Sequence, residues 1–425
     1  MNNITSKSIY LYTLPIILSE LLEEVMILSD SILLSFKDPL YLSTVGIIDS
    51  VFLLFLAIGD SLNDSFQNYY ARHTRDVSHC YGVFKKSIPL FIGVGLFFVL
   101  ICSLFHLTHQ FFDGEHYEIF LSVIPYLSLL IFVSFISLSL NSLLMGWGYT
   151  KLLGCVSLCS VVINISLGYV LLYVIDIGIN PCAIVLITSS VAEVFAIVMM
   201  SFKIIAICHQ NKESKEDNRH KSLIFETLVY ASVYPCISDI GFHIGSITLY
   251  SYCLCYFLDT ETAIFTLFMS YWGVLQVPCQ GFSETSINIF SNIYTKKLKS
   301  IYGKIKKRIL CLSFTTSCIF CLAIEIVDIL FYSFDTRRLI LLSIILVITG
   351  LNTFGEITET SLLVRLKNDS FMSAKLIYAS VLIVCISTFT ITGHAGVLSI
   401  FACFLIAQLF NCFYLNYKDQ KVWLK

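Results

Sequence analysis

Charge is what this sequence has least of. Only 13% of its 425 residues are Asp, Glu, Lys or Arg, against roughly 25% in soluble globular proteins. So few charges cannot clothe a water-solvated surface, so lipid is the solvent of most of this one. Apolar types supply 57% of the chain, and mean hydropathy is +0.82. The net charge of −2 excludes nothing, because in a membrane protein the position of charge matters and the total does not.

Other absences narrow the function. The sequence holds no HExxH, no GxSxG, no aspartate-rich metal motif and no large catalytic loop, which weighs against an intramembrane acyl- or glycosyltransferase. Sixteen cysteines are present, but almost all lie inside apolar runs (Cys155, Cys159, Cys236, Cys403), where they act as small polarizable packing residues. The single CxxC, Cys318 to Cys321, lacks the second ligand pair that a zinc or redox site wants. No cleavable signal peptide is read: the first apolar stretch carries four acids, is too long, and is followed by no small-residue cleavage site. It reads as a retained first helix. No cofactor, metal or nucleic-acid partner is expected.

What is present is length in apolar windows. A spanning helix needs ~20 mostly apolar residues, and twelve windows qualify: 9–35, 43–67, 87–110, 118–145, 152–175, 179–207, 223–254, 261–290, 308–331, 337–364, 373–392 and 395–416. The expected fold is an all-α polytopic membrane protein of about twelve transmembrane helices. The loops supply an independent check. With both ends inside, 24 of the 27 basic residues fall on the cytoplasmic side, and only Lys37, Arg337 and Arg338 fall outside. A missed or extra helix would scramble that asymmetry. The loops at 68–86, 208–222 and 291–308 are therefore expected in the cytoplasm.

The chain also repeats itself. The polar stretch HQNKESKEDNRHK, His209 to Lys221, divides it into residues 1–208, a linker at 209–221, and residues 222–425. Pro15 and Pro235 are 220 residues apart, Gly59 and Gly281 are 222 apart, and Ser142 and Ser361 are 219 apart. An even number of helices per repeat keeps both halves in one orientation. Two six-helix bundles related by an axis along the membrane normal, with a cavity between them, are the architecture of an alternating-access transporter.

Several segments, in order, resemble the multidrug and toxic compound extrusion (MATE) family, within the superfamily that includes oligosaccharidyl-lipid flippases. The first helix, LPIILSELLEEVMILSDSILL, has Pro15 and then Asp30 near its end; VGIIDSVFLLFLAIG is similar to the family's small-residue second helix. LNSLLMGWGYTK looks like its G-x-G-x-T-K turn, and VVINISLGYVLL carries Asn164 before a Gly178–Asn180 turn. The resemblance spans the whole chain. It implies an ion-coupled exporter with Asp30, Asn141 and Asn164 as a first-half cation site. The sequence departs at Gly168, where the family often has an aspartate, and in the loop YYARHTRD, where glycine-rich sequence is usual.

An ionisable residue inside a bilayer costs several kcal/mol by some estimates, so it faces a cavity or a partner. The first helix carries Glu20, Glu23, Glu24 and Asp30; Glu23 and Asp30 share a face at i, i+7. Crowded carboxylates in a low dielectric cannot all stay ionised, which suits a proton-coupled site. Pairing with polar groups on neighbouring helices is the plainer reading for Glu20 and Glu24. Asp60 and Asp64 on the second helix read as structural, and Asp49 lies on the same helix. In the second half, Asp239 and His243 (i, i+4) follow Pro235, and Glu356 and Glu359 (i, i+3) lie beside Gly350 and Gly355. Each pair is a proton or cation site or a quiet intrahelical contact. Glu193, Glu284, Glu325 and Asp328 are weaker candidates.

The leading function is a proton- or sodium-coupled antiporter in a bacterial inner membrane that exports organic, cationic small molecules as a monomer in the bilayer. The rivals are a flippase or exporter of a lipid-linked glycan or dedicated metabolite, an intramembrane transferase, and a degenerate relative that no longer transports. A polyanionic cargo would want basic residues within the spans. Here the spans hold acids.

Overall fold

The computed structural model describes residues 6–73, 76–104, 114–175, 178–210, 218–295, 299–332, 335–365, 368–391 and 396–424. Twelve α-helices run through them in order: α1 Ser6–Ser35, α2 Pro39–Arg72, α3 Val77–Leu104, α4 Gly114–Gly146, α5 Thr150–Tyr169, α6 Pro181–Gln210, α7 Asn218–Tyr256, α8 Asp259–Thr295, α9 Lys299–Tyr332, α10 Thr336–Val364, α11 Asn368–Ile391 and α12 Val397–Leu424. A π-helical turn, Val170–Val174, prolongs α5. Over its described residues, each of the twelve apolar windows falls on a helix. Ten helices among the described residues are long and apolar enough to cross a membrane; α1 and α7 are the two others. In α1 the reason is local: Glu20, Glu23 and Glu24 interrupt its middle.

Helix starts follow the local chemistry. Asp38 accepts from the Leu40 amide at 2.9 Å, with Pro39 next in line. Asn180 does the same for Cys182, ahead of Pro181, and Asp335 for Arg337. A side-chain oxygen at the N-cap satisfies an otherwise orphaned donor, and proline at the first position has no donor to lose.

The helices outrun the apolar windows. The basic run from Lys296 to Arg308 reads as a loop in the sequence, yet α9 begins at Lys299. Charge marks where the lipid ends; it does not mark where the hydrogen-bonded spiral ends. Long lysine side chains sit comfortably on the protruding turns.

The chain forms two compact units, residues 29–263 and residues 1–28 with 264–425. In the first, α4 packs on α2, α3 and α6, and α5 packs on α6. In the second, α10 packs on α9 and α12, and α11 packs on α12. The α3–α4, α4–α6 and α5–α6 contacts recur six helices later as α9–α10, α10–α12 and α11–α12. The cut falls inside α1 and in the first turns of α8, because each repeat's opening helix packs on the other repeat's second helix. Helix α7 lies along α2. The first turns of α1 place Ile9 and Ile17 in a core with Val277, Phe282 and Phe290 of α8, Ile305 and Ile309 of α9, and Ile357 of α10. Gly281 lets α1 approach: a β-carbon there would stand 2.6 Å from the Ile17 side chain and 3.2 Å from its backbone nitrogen.

Candidate functional site

Three helices of the 29–263 unit meet at one carboxylate. Asp30, in the last turns of α1, is 7% exposed, and Asn164 of α5 is fully buried. The Asn164 amide donates to both Asp30 oxygens, at 3.0 and 3.2 Å. The Ser189 hydroxyl of α6 lies 3.4 Å from Asp30 Oδ2 and 3.5 Å from Asn164 Oδ1. All the donors are neutral, and no basic side chain pairs with Asp30 among the described residues. A buried carboxylate without a cation is costly unless something else carries the balancing charge. The arrangement suits a proton or a small hard cation.

A second carboxylate approaches: Asp49 of α2, half-buried, is the charged neighbour that acts on Asp30. The Glu23 side chain lies outside the described residues. Glu20 and Glu24 belong to the other unit, where the Glu24 carboxylate lies against Gly273 of α8. Helix periodicity puts Glu23 and Asp30 on one face, but the packing supplies Asp49 from a different helix.

Gly168 stands one turn beyond Asn164 on α5. A β-carbon there would meet Leu33 at 3.4 Å and the Thr188 hydroxyl at 3.9 Å, both ordinary contacts. A side chain at 168 therefore points at the end of α1 and at α6, beside the Asp30 cluster, and glycine leaves that place without a ligand. The π turn follows at once, with the Ile175 amide bonded to the Val170 carbonyl at 2.9 Å. Tyr173 in that turn donates to the Leu33 carbonyl and so closes the C-terminal end of α1. Lys37 lies 4.6 Å from the centre of the same ring.

Asn141, on α4, is half-buried, and no hydrogen bond joins it to the Asp30 cluster among the described residues. Asp60 and Asp64 are exposed. On α7, His243 is half-buried; the Asp239 and Pro235 side chains lie outside the described residues, and with them the Asp239–His243 pairing.

In the other unit the tenth-helix pair diverges. Glu359 is 4% exposed and pairs with Lys375 of α11 at 3.5 Å. Glu356 accepts from the Cys279 thiol of α8 at 3.4 Å. An i, i+3 spacing places two side chains side by side on one helix; Glu359 reaches α11 and Glu356 reaches α8, and both act on Cys279.

Two further clusters were not legible as such. Asp419 of α12 accepts from Lys306 at 2.8 Å and from the Tyr302 hydroxyl at 3.1 Å, and forms an ion pair with Arg365 at 3.1 Å. Lys306 and Arg365 are 8% and 7% exposed, so two cations expected in loops are buried in helix ends. The second cluster is Asp328 of α9, buried, which accepts from Arg338 at 2.7 Å and Tyr271 at 3.0 Å. Arg338 is one of the three basic residues on the side where they are rare, and its charge is neutralised there. A proximity signal was available only for Ser189, which lies in the hydroxyl run Thr188–Ser190 of α6.

No protein-family model matches the sequence, and no curated protein matches it significantly. Solved structures do match. The chain is similar to a multidrug resistance MATE family transporter of the MOP superfamily in an outward-facing conformation, with TM-score 0.71 and 18% identity over 98% of this chain and 96% of the other. It is similar to an inward-facing structure of such a transporter, with TM-score 0.70 and 16% identity over 97% and 98%. It is also similar to a MOP superfamily transporter from Pyrococcus furiosus described by a reverse polarity of its binding pocket that suggests a different function, with TM-score 0.67 and 16% identity over 98% and 96%. The resemblance read in the sequence thus extends to the fold, which is that of the MATE transporters from end to end.

Proposed function

We propose that the chain is a proton-coupled secondary-active antiporter, working by alternating access in a bacterial inner membrane and exporting organic, cationic small molecules. One observation carries the reading: the Asp30 carboxylate, buried, is held by the neutral donors Asn164 and Ser189 with a second carboxylate, Asp49, nearby. The charge that balances it must come and go. A proton or a cationic cargo can each do so, and competition between them for one carboxylate is the simplest form of antiport. Sodium prefers several hard oxygens, and Gly168 withholds one; a proton needs a single carboxyl group. The fold shared with solved MATE transporters supports the transport class.

A second reading, export or flipping of a lipid-linked glycan or dedicated metabolite, draws on the neighbour whose pocket polarity is described as reversed, since one fold then serves more than one cargo charge. The acids gathered around Asp30 favour the cationic cargo.

The test is efflux of ethidium from proteoliposomes holding the full chain, under a pure pH gradient and under a pure sodium gradient. The pH gradient alone should drive efflux, and Asp30→Asn should abolish it. Efflux driven by sodium alone, or by Asp30→Asn at the wild-type rate, would refute proton coupling through Asp30. If a panel of cationic dyes is untouched while lipid-linked oligosaccharide crosses, the second reading replaces the first.

A further inference from the structure

Helix α6 carries a second acid below Asp30. Two contacts set the register of α5 against α6: Asn164 faces Ser189, and the Ser160 hydroxyl donates to the Ala192 carbonyl at 3.2 Å. The helices are antiparallel, so descending α5 by one turn ascends α6 by one turn in number. Glu193 therefore stands at the level of Ser160, one turn from Ser189, on the same face of α6. That direction leads to the end where α5 begins beside Lys151 and α6 finishes at Gln210.

The environment of Glu193 is unlike that of a surface acid. Its Oε2 is buried and has no hydrogen-bond partner among the described residues. Ser137 of α4 is the polar side chain that acts on the carboxyl, and α4 is packed along α6. No ion pair involves Glu193 among the described residues. The titratable groups on the elements packed against α6 include Asp30 and Asp49 beyond Ser189, Asp60 and Asp64 on α2, Cys155 and Cys159 on α5, Lys151 in the first turn of α5, and Lys85 of α3, which acts on Cys208 near the end of α6. Lys203 lies ten residues further along α6, where it is held over the Tyr149 ring at 4.8 Å. A carboxyl oxygen buried without a donor is tolerable when the group carries its own proton.

We propose that Glu193 is a second proton-binding site, one helical turn from Ser189 and so next in line to Asp30, through which protons pass between the Asp30 cluster and the basic end of the unit. The inference rests on the proton-antiport reading for its role, but the site itself does not depend on the cargo. When a proton moves from Asp30 to Glu193, one carboxyl ionises as the other is neutralised, so the net charge of the pair is unchanged. Ser189 is placed between them, with its hydroxyl already on Asp30 Oδ2. Asn141, one turn beyond Ser137 on α4, continues the polar line toward the basic end.

The test reads protons directly. Infrared difference spectra of the purified full-length protein across a pH titration report protonated carboxyl groups. Asp30→Asn should remove one carboxyl band and Glu193→Gln a different one, and Glu193→Gln should shift the pH at which the Asp30 band titrates. Ser137→Ala, which keeps the acid, should move the Glu193 band in frequency; it serves where Glu193→Gln fails to fold. Spectra unchanged by Glu193→Gln and by Ser137→Ala would overturn the proposal. Ethidium efflux in the same preparations separates the two readings: a Glu193 band present with no wild-type efflux leaves the site standing and removes the antiporter, whereas efflux with no such band does the reverse.

Discussion

Asn164 donates from one amide nitrogen to both carboxylate oxygens of Asp30, across 134 positions of sequence. This bifurcated contact holds the α1 carboxylate against α5. A hydrogen bond to a charged group contributes about 1.5–3 kcal/mol. Asn164→Ala should therefore slow pH-driven efflux by about tenfold or more, each tenfold being ~1.4 kcal/mol. Asn164→Asp would place two carboxylates in contact. It should be at least as damaging, and rates no lower than wild type in either variant would show that the contact is not used.

Gly168→Asp should introduce sodium sensitivity. The new side chain would project toward Thr188 and Leu33, adding a carboxylate one turn from Asn164. Sodium added equally on both sides of the membrane should then inhibit pH-driven efflux by competing for the site, whereas the wild type stays indifferent. No change in sodium response would mean that position 168 does not reach the Asp30 cluster.

Asp419 is shared by two buried cations, and removing it strands both. Asp419→Ala should destabilise the unit by about 3–5 kcal/mol, the usual loss on breaking a buried pair from one side. Lys306→Met should cost less, because Arg365 remains to balance the carboxylate. Thermal aggregation of the detergent-solubilised protein, read by fluorescent size exclusion, ranks the two. The reverse order would refute this account of the cluster.

At Gly146, α4 lies close against the backbone of α2. A β-carbon there would stand 2.5 Å from Cβ of Tyr70 and 3.0 Å from the Gln67 carbonyl oxygen. Neither neighbour can swing aside, so Gly146→Ala should cost roughly 1–3 kcal/mol as overpacking. Gly93→Ala, with nothing within 4 Å, is the control and should be stable. Equal melting behaviour in the two variants would contradict the close approach.

From the basic bias of the loops we propose that both termini are cytoplasmic. Reporter fusions at Asp113 and Asp259 should report the opposite side. A cytoplasmic signal at either would break the twelve-helix topology.

Much of the fold was readable because the cost of placing each residue in lipid is local. Over their described residues, the twelve apolar windows fall on α1 to α12, and three residue pairs at near-constant offset foreshadowed a packing pattern that recurs in both units. The boundaries were less readable. Charge at 296–308 signalled the end of lipid, whereas α9 had already begun, because backbone hydrogen bonding continues into water. Around the candidate site, Asp30 and Asn164 were named from the sequence and meet in space. Asp49 and Ser189 were not legible as their neighbours, because which faces of α2 and α6 turn toward α1 depends on how those helices are rotated.

The sequence by itself determined that this chain is a bundle of about twelve apolar helices in two related halves, with acids within the spans and bases at one end. Burial cost and helical period act residue by residue and need no partner to be read. Only the tertiary structure decided that α7 lies on α2, that Glu24 packs against Gly273 while Asp30 sits beside Asp49, and that Lys306 and Arg365 share Asp419. Those outcomes depend on the rotation and register of whole helices. These are set by close packing at places such as Gly281 and Gly146, where a single missing β-carbon admits a neighbour.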